Sequence, residues 1–330
     1  VKVALITTTI NVPRVLQLYR AFDADVMFFV AADLKTPEAT YDFCESIPNC
    51  IYLSAHDQQR KNYKSSELIG WKTDSRRNFA LLEAMKWKPD LIMSCDDDML
   101  PTSDPFFDWN MLFFTEWSGL KLGAPKQWFD HSSFALPPTL ARGIPYDQIY
   151  YLEVHGACNV QIGAAQGIIL GVPDTDACTA IANRPIVTGV TDILRSGFVV
   201  DPAAHAVFNS QFTIFRAELA PAFAQFYFAQ QRNTDIFASM LMRRIMQERN
   251  LYTFYGPPMA YHARAPRPLL NDLKAERYGV DHIVEYADYL ARAPLRAGSV
   301  VEQCRILVEG WKGPELEAAM AWYEDCEAVL

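Results

Sequence analysis

From Val3 to Cys95 short apolar runs alternate with helix-patterned segments, and this alternation constrains the fold more than any other feature of the chain. Val3–Thr7 is an apolar run closed by Thr residues and Asn11-Val12-Pro13, the pattern of a buried strand. Pro13 suits a first helical turn and opens a helix carrying Val15, Leu16, Leu18 and Tyr19. Residues 25–31 read as a second strand, Thr36-Pro37-Glu38 start a helix through Phe43, and Ile51-Tyr52-Leu53 make a third strand. Asp74 or Ser75 can cap a helix with Phe79, Leu82 and Met85 on one face, closed by Lys86-Trp87-Lys88-Pro89. Asp90–Cys95 is then a fourth strand running into Asp96-Asp97-Asp98. The class is α/β: a Rossmann-like mixed, mainly parallel sheet flanked by helices. Ligands of such sheets sit at the carboxyl ends of the strands, where the three aspartates fall.

Beyond this region the pattern weakens. Pro101 to Ala165 reads as irregular and rich in aromatics, Gly and Pro. Gln166–Leu170 and Thr253–Tyr261 read as strands, with an amphipathic helix at Asp235–Gln247 between them. Val300–Trp311 and Pro314–Val329 form a C-terminal helical extension. No apolar run approaches the ~20 residues of a membrane span. The formal charge of −9 gives no general attraction to nucleic acid or to an anionic membrane. Seven scattered cysteines without a C-x-x-C pair fit neither a disulfide framework nor a zinc site. Together with a strand-like N-terminus these features point to the cytoplasm.

Three consecutive carboxylates repel one another and stay ionised at neutral pH only beside a compensating cation. A divalent ion, Mn2+ or Mg2+, bridging to a diphosphate meets that need, with Asp96 and Asp98 as its ligands and Asp97 beside them. The turn after the first strand, Thr7-Thr8-Thr9-Ile10-Asn11, has neither G-x-G-x-x-G nor G-K-[ST], so nicotinamide dinucleotides and P-loop ATPase chemistry lose ground. Phosphate charge must then be met by metal and by cations; Lys72, Arg76 and Arg77 stand just before the helix that leads to the aspartates. Thr7 and Thr8, at the end of the first strand, are further nucleotide contacts. His262 closes a strand-like run, and a neutral imidazole suits Mn2+, although a lone His is more often structural.

Lys72-Thr73-Asp74-Ser75-Arg76-Arg77-Asn78-Phe79, the strand, Asp96-Asp97-Asp98 and Asp104-Pro105 together resemble the GT-A glycosyltransferase superfamily. Within it the chain looks most like the reversibly glycosylated polypeptides, the UDP-arabinopyranose mutases of plants. Further matches, in the same order, are Pro173-Asp174-x-Asp176-Ala177, Asn209 to Leu219, Asp235 with Phe237, and Gly256-x-Pro258…Tyr261-His262 followed by Pro266, Asn271 and Lys274. The resemblance implies that Asp96 to Asp98 bind metal, ribose and diphosphate, with His262 as a later metal ligand. It places Arg77 near the sugar-diphosphate, at the position the mutases glycosylate. It makes Asp235 a candidate base toward an acceptor, with a helix N-terminal role as its plain alternative. Asp174 and Asp176 would grip sugar hydroxyls or close a turn after Pro173. The cysteines that flank the mutase arginine are replaced here by Arg76 and Asn78, and Gln127–Glu153 has no counterpart.

The resemblance therefore implies a GT-A domain over 1–285, its nucleotide-binding half at 1–100 and its acceptor and sugar half at 101–285, with 286–330 as the extension. The implied activity is a metal-dependent glycosyltransferase moving sugar from a UDP-sugar to an acceptor hydroxyl on a glycan, protein, nucleic acid or small molecule. Alternatives are a UDP-sugar pyranose/furanose mutase and a non-catalytic nucleotide-sugar-binding protein; a homo-oligomer is compatible with each. Trp128, Phe129, Tyr146, Tyr150 and Tyr151 offer aromatic faces on which a sugar can stack.

Overall fold

The computed structural model describes residues 1–148, 154–226, 232–264 and 267–330, with backbone alone at 107–111 and 258. Its twelve strands are β1 (Val3–Thr9), β2 (Met27–Ala32), β3 (Cys50–Leu53), β4 (Leu91–Cys95), β5 (Met99–Pro101), β6 (Trp117–Leu122), β7 (Ala135–Leu136), β8 (Val154–Gly171), β9 (Gly189–Val190), β10 (Phe198–Val200), β11 (Phe212–Arg216) and β12 (Leu251–His262). Ten of them form one sheet in the order β3-β2-β1-β4-β11-β8-β6-β10-β12-β5, with β8 also paired to β12, while β7 and β9 make a small ribbon. β3, β2, β1 and β4 are mutually parallel, the half-sheet the N-terminal alternation predicts. Antiparallel β11 then joins β4 to β8 and turns the sheet mixed.

The parallel strands are apolar on both faces because helices cover both. One core contains Ile6, Phe29, Phe79 and Leu82; the other, across the sheet, contains Leu5, Tyr19, Phe28 and Met93. Neither Asp74 nor Ser75 caps the helix before the aspartates. Thr73 does, its hydroxyl accepting the Ser75 N–H at 3.2 Å to start a single 3-10 turn, Asp74–Arg76, that feeds helix Arg77–Trp87. Lys88, in the left-handed region, ends that helix before Pro89.

The stretch from Pro101 to Ala165 is more regular than its sequence suggests: it holds helix Pro105–Phe114, β6 and most of β8. The leading third of β8, from Val154 to Asn159, lies open to solvent on both faces, so no apolar alternation marks it. Helix Thr234–Glu248 is buried on nearly all sides rather than amphipathic, because helices and β12 both pack on it. The C-terminal helices are Leu269–Arg292, Val300–Trp311 and Leu316–Val329, and the 285/286 position falls inside the first. They belong to the main core. Trp322 is fully buried, and Asp325 accepts the backbone N–H groups of Lys64 and Ser65, both at 2.9 Å. Among the described residues no helix is long and apolar enough to cross a membrane.

Candidate functional site

The ends of β1, β2 and β4 enclose a cleft of about 280 Å3, lined by Thr8, Thr9, Asp33, Lys72, Asp74, Arg77 and Asp96, among others. The three aspartates at its edge point to three different partners. Asp96 receives the Arg77 guanidinium, Asp97 accepts from the Thr9 hydroxyl, and Asp98 faces His262. Burial raises the Asp97 pKa, the neighbouring carboxylates add to this, and the Thr9 and Asn11 bonds oppose it. Burial would also raise Asp98, but the His262 hydrogen bond and the charges of His262 and Arg264 hold it below the usual range.

His262 is brought there by strand pairing. Met99, the residue after Asp98, is its partner across β5–β12, and Gly171 is its partner across β8–β12. The ring is 1% exposed, with Nδ1 3.0 Å from the Val172 carbonyl and Nε2 3.0 Å from Asp98 Oδ2. A carbonyl only accepts, so Nδ1 carries a proton. A neutral ring then turns the Nε2 lone pair toward a carboxylate oxygen, an arrangement that holds only with a second ring proton or with a cation between the two.

Gly171 makes this approach possible. It has φ +81°, and a Cβ there would sit 2.6 Å from the His262 carbonyl oxygen. Gly171→Ala is expected to cost about 1–3 kcal/mol and to shift His262 off Asp98. Chemical denaturation and manganese titration of the variant measure the two effects.

Asp98 and His262 supply one oxygen and one imidazole nitrogen, a donor set that suits Mn2+ better than the all-oxygen preference of Mg2+. Asp96, expected as a ligand, has Oδ1 committed to Arg77. Among the described residues no group of three His, Cys, Asp or Glu side chains is arranged to hold a metal. The residues fit a metal that takes two ligands from the protein and the rest from phosphate and water.

Other expected contacts are relocated. Thr7 is 1% exposed and does not line the cleft, whereas Thr8 and Thr9 do. Arg76 is neither a phosphate ligand nor a solvated helix start. It is wholly buried, donates to Gln58, Ser66 and Gly70, and stacks on Trp71 and Phe79 at 3.7 and 4.0 Å. Lys72 lines the cleft as expected, in a left-handed turn pinned by its N–H to Asp33 at 2.7 Å. Arg77 also lines it, donating to Ser94 and to the Ser210 carbonyl besides Asp96.

Asp235 is not free to act as a base. Arg142 grips both its oxygens at 2.8 and 2.9 Å, and the Ser210 N–H bonds one of them at 3.0 Å. Both oxygens of that carboxylate are thus occupied by protein donors. Arg142 also holds Asp174 through two bonds, at 3.0 and 2.8 Å, which ties that residue into a buried ionic cluster rather than leaving it to a sugar hydroxyl. Asp176 caps helix Ala177–Asn183 by accepting the Thr179 N–H at 2.9 Å, the turn-closing alternative. Trp128 and Phe129 are core; Tyr146 is exposed and bonds Asp176; Tyr150, Tyr151 and Pro266 lie outside the described residues.

Sequence reasoning missed Arg142, Asp33 and Thr9. Asp33 had a signal, an acid just past the second parallel strand. Arg142 had none, since its partners lie 32 and 93 residues away in the chain.

No family model matches the chain, and no curated protein matches it. Among solved structures, the apo form of mouse xyloside xylosyltransferase 1 is similar over 85% of this chain and 82% of its own, at 11% identity and a TM-score of 0.28. A superposition that loose carries no argument, so the functional reading rests on the site.

Proposed function

We propose that the protein is a GT-A-type glycosyltransferase that binds a UDP-sugar through Mn2+ and transfers the sugar to an acceptor hydroxyl. The observation that carries this reading is the approach of His262 Nε2 to Asp98 Oδ2, 3.0 Å apart, next to a cleft walled by Asp96, Asp97, Lys72 and Arg77. When bound, the metal supplies positive charge for the departing diphosphate. Asp98 and His262 hold it, and the Lys72 side chain offers the phosphates a second cation. The Arg77 guanidinium, already balanced by Asp96, orients that carboxylate toward the ribose side of the cleft. Thr8 and Thr9 line the wall left for the nucleoside.

With Asp235 engaged by Arg142, Asp74 is the better candidate base. It lines the cleft and is exposed to solvent, with only a 3.3 Å bond from the Thr73 hydroxyl described at its carboxylate. Surrounding protein, then the Asp235 carboxylate, raises its pKa, and the charges of Arg77 and Arg142 oppose that shift. Asp74→Asn is expected to lower kcat at least tenfold while leaving UDP affinity unchanged, as read from steady-state kinetics and calorimetry.

A two-ligand protein site binds metal weakly alone. Mn2+ without UDP is therefore expected to give little thermal stabilisation, and Mn2+ with UDP several degrees. Incubating enzyme, Mn2+ and a panel of UDP-sugars, with and without hydroxylated acceptors, tests the class. UDP release that rises with acceptor supports a transferase. A new UDP-sugar isomer formed without acceptor points to a mutase, and tight binding without turnover points to a binding protein.

A further inference from the structure

A second cavity, of about 390 Å3, lies beside the aspartate cluster, within the size range of small-molecule sites. Pro173, Ile186 and Leu269 give it an apolar wall; Arg184, Arg264 and Arg267 also line it, and among the described residues no carboxylate does. Val172 connects it to the first site: the same residue lines this cavity and accepts the His262 Nδ1 proton with its carbonyl.

The three arginines are under-compensated. Arg267 bonds Asp272, a residue outside the cavity wall that also lies 3.5 Å from Arg232. Arg184 is exposed, in a left-handed turn at the end of helix Ala177–Asn183. Arg264 is the telling one. Its Nη1 is buried without a hydrogen-bond partner, and it sits among like charges, Arg267 and Arg232. A buried, unsatisfied guanidinium donor costs free energy unless an anion meets it.

We infer that this cavity is the acceptor subsite, and that it takes a hydroxylated molecule with an apolar body and an anionic group, a carboxylate or phosphate. The apolar wall of Pro173, Ile186 and Leu269 covers the body. The Arg184, Arg264 and Arg267 side chains that line the cavity supply the positive charge that meets the anion. Because Val172 and Arg264 border the His262 end of the first site, an acceptor seated here presents its hydroxyl toward the donor's sugar. This assignment rests on the glycosyltransferase reading for the word acceptor, and on the cavity alone for the chemistry of the ligand.

The test uses phenyl phosphate, phenyl acetate and inorganic phosphate as probes, titrated by calorimetry into the 330-residue chain saturated with UDP and Mn2+. Phenyl phosphate is expected to bind at least tenfold more tightly than either of the others, since only it has both body and charge. Ile186→Asp and Arg184→Glu change exposed positions and are expected to weaken phenyl phosphate tenfold or more with unchanged melting temperature and unchanged UDP–Mn2+ affinity. Equal binding of the three probes, or variants that bind phenyl phosphate like the wild type, would overturn the assignment. So would displacement of phenyl phosphate by UDP, which would put the anion in the donor cleft. If UDP–Mn2+ fails to bind while phenyl phosphate binds and responds to both variants, the donor reading falls and the anion-binding cavity stands.

Discussion

Arg142→Met is expected to destabilise the protein by about 3–5 kcal/mol, a large share of the roughly 5–15 kcal/mol that holds a folded domain together. Methionine replaces the volume but removes the guanidinium that grips Asp174 and Asp235 together. The Asp174 and Asp235 side chains are 3% and 7% exposed, so two carboxylates would be left in a low-dielectric interior. The sign of the pH dependence follows from Asp174. Burial would raise its pKa, but Arg142 overcomes this, and with Arg232 holds it below the ordinary value. A depressed carboxylate stabilises the fold above its unfolded pKa, about 3.9, and the contribution fades as pH falls below that. Without Arg142 burial wins, the pKa rises, and protonation relieves the strain. Urea denaturation at pH 8 and pH 5 should therefore show a larger Arg142→Met penalty at the higher pH. An equal penalty at both would mean that the guanidinium contributes packing rather than charge.

The same cluster reaches the first site. The Ser210 N–H bonds Asp235 at 3.0 Å, and the Ser210 carbonyl accepts Arg77 at 2.8 Å, so Arg142, Asp235, Ser210, Arg77 and Asp96 form one chain of hydrogen bonds. Such a chain fixes the Arg77 side chain before a ligand arrives, which lowers the ordering cost of binding.

Asp98→Ala is the second large effect. Its side chain is 45% exposed, so its loss should leave the fold intact. His262 keeps its Val172 bond but faces no carboxylate, and one protein ligand is left for the metal. Sugar transfer is expected to fall roughly 100- to 1,000-fold, the range seen when a group stabilising developing charge is removed. The Mn2+-dependent part of UDP stabilisation should disappear with it. Asp97→Ala should do less to the metal, since Asp97 is turned toward Thr9 and Asn11. Steady-state rates and melting temperatures with UDP, with and without Mn2+, separate the two variants.

What the sequence showed and what it hid divide along physical lines. β1 to β4 and three of the helices between them, Val15–Arg20, Ala39–Glu45 and Arg77–Trp87, were readable because apolar periodicity writes them into contiguous residues, whereas the short helices Ala55–Arg60 and Ser65–Ile69 were not read. The place of the aspartate cluster, at the end of β4 and the edge of a cleft, was readable because an apolar strand delivers it there. The middle of the chain was not, because β6 and the first half of β8 are half-exposed, and their regularity comes from pairing with each other. Arg76, Asp174 and Asp235 depart from their expected contacts for one reason: a charged residue near a motif looks like a ligand contact until its buried partner is known. Gln58 and the Gly70 carbonyl take Arg76, and Arg142 takes two of the acids, from positions no local pattern connects. His262 ran the other way. Its spacing argued for a structural role, and only the β5–β12 register brings it to Asp98.

The most direct test of the proposed site is pulsed electron paramagnetic resonance of Mn2+ bound with UDP. A manganese held by Asp98 and His262 against a diphosphate should show both a directly coordinated nitrogen and a phosphorus coupling, with the nitrogen signal lost in His262→Ala. Manganese that couples to phosphorus but to no nitrogen, or whose spectrum is the same in His262→Ala and Asp98→Ala as in the wild type, would contradict the account.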